Sequence, residues 1–259
     1  MARVRLDTLL AERGLFASRS RAAASVAAGE VLVGADRLPA TRPSQLVAAD
    51  VPLELADAER YVSRGGIKLA NALDAFGVTV DGRLALDVGA STGGFTDVLL
   101  RRGAARVAAV DVARDELSPV LRGDPRVEPL CLNARELTPA DLPFVPDLLV
   151  VDVSFISATK VLTAALGCLA PRFDALVMVK PQFEVGPGRV GKNGVVRDPE
   201  ERRAAIVDVA ASAYATVLGF ASSGLAGPKG NRETFVWLAE PGRPGGVADV
   251  EAAVRDVDP

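Results

Sequence analysis

The chain has 259 residues, of which 49% are apolar and 24% charged, and its net charge is −3. That length suits one α/β domain plus a small module, and the composition excludes collagen-like, disordered and disulfide-scaffold chains. Histidine is absent, which removes Ser-His-Asp and Cys-His catalysis and the commonest zinc ligands, so no metal site is expected.

From Met1 to about residue 58 the pattern is that of a small α+β module. Leu6, Leu9 and Leu10 with Asp7 and Glu12 predict a short amphipathic helix ended by Gly14. Ser18 can cap a second helix running through the alanines to Ala28, ended by Gly29. Brief strands follow at Val31-Leu32-Val33, Leu46-Val47 and Val51-Pro52-Leu53. Arg3, Arg5, Arg13, Arg19 and Arg21 fall in or beside the two helices, with Arg37 and Arg42 further on. A local basic face on an acidic chain is a phosphate-backbone signal, the alternative being a solvated helix face.

A polar connection at 59–63 leads to a second domain at 64–240, with a tail at 241–259 to which no role is assigned. A helix is predicted at 66–76, with Leu69, Leu73 and Phe76 on one face. Strands are predicted at 84–88, 106–111, 127–130, 148–152 and 175–180, and helices near 94–102, 115–121 and 157–169. A long helix at 199–218 precedes two strands near 220–226 and 234–238, which can pair as an antiparallel edge. Alternating β and α units with near-continuous apolar strands predict an α/β fold, a Rossmann-like parallel sheet covered on both sides. No apolar run reaches membrane-spanning length and nothing reads as a signal peptide, so a cytoplasmic protein without membrane contact is expected. Cys131, in a strand, and Cys168, late in a helix, are read as small core residues in a reducing compartment.

The first strand of this domain runs into Asp87-Val88-Gly89-Ala90-Ser91-Thr92-Gly93-Gly94-Phe95. Glycines between a strand and a helix let the backbone approach a ligand closely. Asp111, with Val112 beside it, ends the second strand about twenty residues after Gly89, the spacing of a carboxylate that grips a ribose diol. Asp87 would repel a pyrophosphate but can orient the ammonium of an amino acid, which favours S-adenosylmethionine over a nicotinamide dinucleotide. The segment resembles the first S-adenosylmethionine motif of methyltransferases, and that resemblance places Asn133 and Ala134 beside the adenine.

Asp152-Val153-Ser154-Phe155 ends the fourth strand, at the edge where open α/β sheets bind ligands. The Asn/Asp-Pro-Pro-aromatic pattern of amino-directed methyltransferases is missing there. Lys180 closes the fifth strand in Val179-Lys180-Pro181-Gln182-Phe183-Glu184, a costly burial unless the lysine is used or paired. Lys68 stands in Ser63-Arg64-Gly65-Gly66-Ile67-Lys68-Leu69, and Glu233 in Gly230-Asn231-Arg232-Glu233. Lys68, Asp152, Lys180 and Glu233 match in order the tetrad of the FtsJ-like ribose 2′-O-methyltransferases. Without histidine, a lysine of lowered pKa is the natural base for a ribose hydroxyl. In that scheme Asp152 holds Lys180 and also borders the cofactor, and Glu233 orients Lys68 or the sugar.

Arg5-Leu6-Asp7, Gly14-Leu15, Ser18-Arg19 and Gly29-Glu30-Val31 resemble the S4 RNA-binding fold. Together with the Ser-Arg-Gly-Gly-x-Lys, Gly-Ala-Ser-Thr-Gly-Gly-Phe, Asp-Val-Ser-Phe-Ile-Ser, Val-Lys-Pro-Gln-Phe-Glu-Val and Gly-Asn-x-Glu segments they resemble the TlyA family across nearly the whole chain. The resemblance implies S-adenosylmethionine-dependent 2′-O-methylation of cytidine in ribosomal RNA, on ribosomal subunits. Some members carry a hemolysin label and modulate sensitivity to capreomycin-type antibiotics. Where some have Arg-x-Trp-Val in the linker, this chain has Arg60-Tyr61-Val62. Arg64, Lys68, Arg189, Lys192 and Arg197 flank the expected active edge, and the glycine-rich stretch 186–194 reads as a closing loop or a plain turn. The rival readings are a membrane-lytic protein, a non-catalytic RNA-binding protein and a nicotinamide oxidoreductase. No protein partner is readable.

Overall fold

The computed structural model describes residues 3–16, 18–27, 31–36, 38–55, 61–113, 115–191 and 193–258. Ala28 and Gly29, expected to close the second helix, lie outside them, as do Glu30, Arg37, Arg60 and Lys192. The chain divides into two units, Met1–Arg60 and Tyr61–Pro259.

The first unit holds β1 (Arg3–Arg5), α1 (Leu6–Glu12), α2 (Arg19–Ala27), β2 (Val31–Val33), β3 (Leu38–Pro39), β4 (Leu46–Ala48) and β5 (Leu53–Leu55). β1 pairs with β4, and β2 lies between β3 and β5, all antiparallel. A seven-residue helix is marginal alone. Burial of its apolar stripe holds α1: Leu6, Leu9 and Leu10 form one cluster with Ala22, Val26, Val31 and Val47. Asp7, on the same helix, is 4% exposed and accepts hydrogen bonds from Arg5 and Arg19. The Arg5 hydrogen bonds, joined by Arg19, hold its carboxyl well below the usual range against the opposing effect of burial.

The second unit continues with α3 (Arg64–Phe76), β6 (Leu84–Val88), α4 (Gly94–Arg101), β7 (Arg106–Asp111), α5 (Pro119–Arg122) and β8 (Val127–Cys131). Then come β9 (Leu148–Val151), α6 (Thr159–Leu166), β10 (Asp174–Val179), α7 (Pro181–Glu184), α8 (Pro199–Ser212), β11 (Thr216–Ser222), β12 (Thr234–Ala239) and α9 (Val250–Val257). They build a sheet of order β11-β12-β10-β9-β6-β7-β8. The run from β10 to β8 is parallel, and β12 and β11 close one edge antiparallel. Every residue of β9 and β10 is buried. Alternate residues feed two cores, Leu148 and Val150 into one and Leu149 and Val151 into the other, so the sheet is covered on both faces.

Three expectations are corrected. The predicted helix at 199–218 stops at Ser212, and β11 begins at Thr216: β-branched Thr216 and Val217 pair with Ala239 and Leu238 of β12. The predicted helix at 115–121 shrinks to α5, because Asp115 is left-handed at φ 69° and Pro119 can only open a helix. Cys131 is exposed, since β8 is the far edge of the sheet, while Cys168 is buried as expected. The tail, to which the sequence reading assigned no role, carries α9, whose Val254 is fully buried, and Asp258, which is 2% exposed.

Candidate active site

β6 has β7 on one side and β9 on the other, which is where the strand order reverses and where open α/β sheets place their ligands. The loops leaving β6 and β9 meet there. Gly89 has φ 86°, and a Cβ on it would lie 2.6 Å from the Asp152 carbonyl oxygen, so only glycine lets these two strand ends approach. Gly93 is also left-handed, at φ 96°, and a Cβ would strike Leu121. Gly66 and Gly94 act differently. A Cβ on Gly66 would lie 2.9 Å from the Gly94 carbonyl, and one on Gly94 would strike Ser63, so both glycines let the starts of α3 and α4 touch.

Asp111 ends β7 in a cleft of about 140 Å³ lined also by Ala90, Ser91, Leu117, Leu130 and Cys131. Its carboxylate accepts from the Ser91 and Ala113 amides, each at 2.9 Å, which fixes it at the mouth of the loop. Ser91 Oγ donates to Glu116 at 3.2 Å. Of the remaining expected cofactor residues, Val112 is exposed and Ala134 buried. Asn133 engages Glu136 and the Arg135 amide, and none of these three lines the cleft. Phe95 is buried against Phe235 at 5.9 Å, a core role.

Asp87 is wholly buried. Thr96 Oγ1 donates to its Oδ2 at 2.6 Å, while Oδ1 has no hydrogen-bond partner. Burial pushes this carboxyl up to about 7, with the charges of Asp152 and Asp111 adding to the rise and Thr96 opposing it. A buried carboxylate oxygen short of a donor fits a ligand that brings a cation.

Antiparallel pairing explains how two of the tetrad residues, Lys180 and Glu233, come together. Val179, the last residue of β10, sits opposite Thr234, the first of β12. Lys180 and Glu233 therefore leave and enter the sheet at the same edge, beside Asp152 at the end of β9. Lys180 Nζ lies 2.5 Å from Asp152 Oδ1 and donates to Ser154 Oγ at 2.8 Å. The Asp152 contact is a close charge pair. Lys68, on α3, forms a buried ion pair with Glu233. Burial raises the Asp152 carboxyl against the pull of Lys180 and Lys68, and Glu233 adds to the rise.

Three residues that the sequence reading gave no role of their own join this edge, two of them, Ser154 and Phe155, from the segment that follows Asp152. Ser154 and Thr96 hold Lys180 and Asp87. Phe155 is 92% exposed and left-handed at φ 64°, with its ring 5.3 Å from that of Phe183. A bulky residue in that backbone region is uncommon and marks strain. The glycine-rich stretch is anchored: Val185 and Val196 pack with Ala205, and Asn231 bonds the Val196 amide and the Gly194 carbonyl.

The expected RNA-facing arginines are partly engaged. Arg5 and Arg19 share Asp7 yet stay about half exposed. Arg13 donates to the Ala49 and Val51 carbonyls, and Arg64 to that of Ala226. Arg3 is exposed, and the Arg21 side chain lies outside the described atoms. Among the described residues no acidic or cysteine cluster is placed to hold a metal ion, and no helix is long and apolar enough to cross a membrane.

A reversed strand order, a glycine cradle at its switch point and lysine–carboxylate pairs at the same edge define a methyltransferase of the S-adenosylmethionine-dependent fold. The chain belongs to the FtsJ-like methyltransferase family, whose profile matches residues 61–240. It is 48% identical to the 16S/23S rRNA (cytidine-2′-O)-methyltransferase TlyA of Mycobacterium tuberculosis H37Rv, over 91% of this chain and 90% of that one. A solved Streptococcus thermophilus protein labelled a hemolysin matches with a TM-score of 0.76 and 35% identity, over 99% of this chain and 96% of that one. An S-adenosylmethionine-dependent methyltransferase from Listeria monocytogenes, 10% identical, shares the fold at a TM-score of 0.50 over 68% of this chain and 99% of its own.

Proposed function

We propose that this chain methylates the ribose 2′-hydroxyl of a cytidine in ribosomal RNA, acting in the cytoplasm on ribosomal subunits. The observation that carries this reading is the meeting of Lys68, Asp152, Lys180 and Glu233 at one sheet edge beside the glycine cradle. The 48% identical relative is named for that reaction.

S-adenosylmethionine, when bound, supplies an electrophilic methyl group on sulfur. Asp111 would hold the ribose of its adenosine, and the unpartnered Oδ1 of Asp87 would face its ammonium side. Lys180 Nζ, having given its own proton to solvent, takes the proton of the substrate hydroxyl as a neutral amine and becomes an ammonium. Asp152 and Ser154 hold that nitrogen in place, and Asp152 balances the charge it gains in the transfer. Lys68, held by Glu233, neutralises charge that builds on the ribose oxygen. The gain comes mainly from fixed geometry and preorganised charge. Phe155 offers an exposed ring for stacking on an unpaired base, the usual way proteins grip single-stranded RNA.

The first unit is read as an S4-like RNA-binding module. Leu6 belongs to its core and Asp7 ties Arg5 to Arg19, which keeps two cations near one acid. That excess of positive charge suits phosphate contacts. The experiment is methyl transfer by the purified protein to ribosomal subunits lacking the modification, with nucleoside digestion and mass analysis. The reading expects 2′-O-methylcytidine from wild type and none from Lys180→Met. A base-methylated nucleoside, or full activity in Lys180→Met, contradicts it.

A further inference from the structure

Glu233 ends the segment 231–233 that leads into β12, and each of its three residues is tied to a different part of the chain. Asn231 is 2% exposed and bonds the 194–196 segment. Glu233 pairs with Lys68 of α3. Arg232, between them, donates to Asp258 Oδ1 at 3.2 Å.

Asp258 follows α9, which Val254 anchors in the core. Three arginines converge on this one residue. Arg202 of α8 grips its carboxylate with two nitrogens, at 2.7 and 3.0 Å, and Arg203 donates to its backbone carbonyl at 2.8 Å. Arg202 also donates to the Arg197 carbonyl at 2.8 Å. Asp258 thus links α8 to the segment that bears Glu233, while its partner Arg202 also holds the Arg197 carbonyl. Buried ion pairs are a weak source of net stability, because desolvation offsets much of their attraction, and Val254 already docks the helix. Their better use is to fix position.

We infer that Asp258 is a positioning residue for the methyl-transfer site, acting through Arg232 on the segment that presents Glu233 to Lys68. The inference rests on the reading of Lys68 and Glu233 as part of that site. It gives Asp258, the residue after α9, a part in methyl transfer that runs through other side chains.

The test is a cycle of Arg232→Gln, Asp258→Asn and the double variant in the full chain, with Val254→Ala as a control for loosened packing. Arg232 is well exposed, so Arg232→Gln cuts the link while leaving the buried Arg202–Asp258 pair. Each variant is assayed for kcat at saturating RNA and S-adenosylmethionine, for KM of S-adenosylmethionine, and for Tm. Positioning errors act on kcat. Both single variants should lower kcat about tenfold with that KM changed less than about twofold, and the double variant should be no worse than the weaker single. Asp258→Glu should recover part of the loss. Val254→Ala should lose Tm but keep kcat within about threefold. An unchanged kcat in Arg232→Gln, additive losses in the double variant, or losses that follow Tm alone overturn the inference. If Asp258→Asn does not fold, the kcat of Arg232→Gln decides. A wild-type protein that methylates no ribose overturns the site reading and this inference together, and is told apart because wild type itself fails.

Discussion

Lys68 and Glu233 stand 165 positions apart in the chain and form an ion pair that solvent scarcely reaches, with side-chain exposures of 8% and 1%. Removing one partner leaves an uncompensated buried charge, which costs about 3–5 kcal/mol, whereas replacing both with apolar groups is close to neutral. Glu233→Ala should therefore destabilise the second unit by that amount in urea titration. Lys68→Met with Glu233→Leu should regain most of the stability and still transfer no methyl group. Recovery of both stability and activity would mean that the pair is structural only.

Lys180 should behave differently. It lies at the sheet edge and is held by Asp152 and Ser154, so Lys180→Met can leave the fold intact while removing the proton acceptor. We expect kcat to fall by about two orders of magnitude or more, the usual scale for a general base. Binding of S-adenosylmethionine should persist. Ser154→Ala should cost less, because Asp152 remains. A Lys180→Met enzyme within a few-fold of wild type excludes the assigned role.

The carboxyl of Asp87, pushed up to about 7 by burial, gives a pH signature. Its value in the unfolded chain is near 3.9. Between about pH 4 and pH 7 the folded protein therefore holds a proton that the unfolded chain has lost, and stability falls as pH rises through that window. Asp87→Asn removes this slope, so its Tm should gain on wild type from pH 5 to pH 8. The same variant should bind S-adenosylmethionine about tenfold more weakly at pH 8, and wild-type binding should tighten as pH rises past 7. Parallel Tm profiles for the two proteins, or unchanged affinity, contradict this assignment.

Phe155 combines exposure with left-handed backbone. Glycine relieves the backbone at such a position, by about 1–2 kcal/mol. Phe155→Gly should raise Tm and lower affinity for RNA, since stacking on an aromatic ring contributes about 1–3 kcal/mol per base. Phe155→Tyr should keep the affinity. Affinity for S-adenosylmethionine alone should not move. A Phe155→Gly variant with undiminished RNA binding removes the ring from the proposed interface.

Much of the sheet was legible because its strands are apolar and its turns are glycine-rich. The strand at 84–88 needs no correction, for Asp87, Gly89 and Gly93 follow an unbroken apolar run. The helix at 199–218 overran because Ala210 to Ala215 carries no glycine or proline stop, and only pairing with β12 ends it. The tetrad was readable by order and family likeness, while its convergence depends on the antiparallel register of Val179 with Thr234, which no local pattern encodes. Asp258 was missed for a similar reason: its partners are Arg202 and Arg232, far away in sequence. The Asp7 cluster likewise hides behind a basic face that arginine counting alone reads as free.

The central claim is that the methyl group lands on a ribose oxygen of ribosomal RNA. Mass mapping of ribosomal RNA from cells with and without the gene addresses it most directly. Deletion should remove a 14-dalton increment from at least one cytidine, the increment should reside on the ribose fragment, and wild-type protein but not Lys180→Met should restore it. Identical ribose methylation in both cell lines, or a lost methyl that maps to a base, would contradict it.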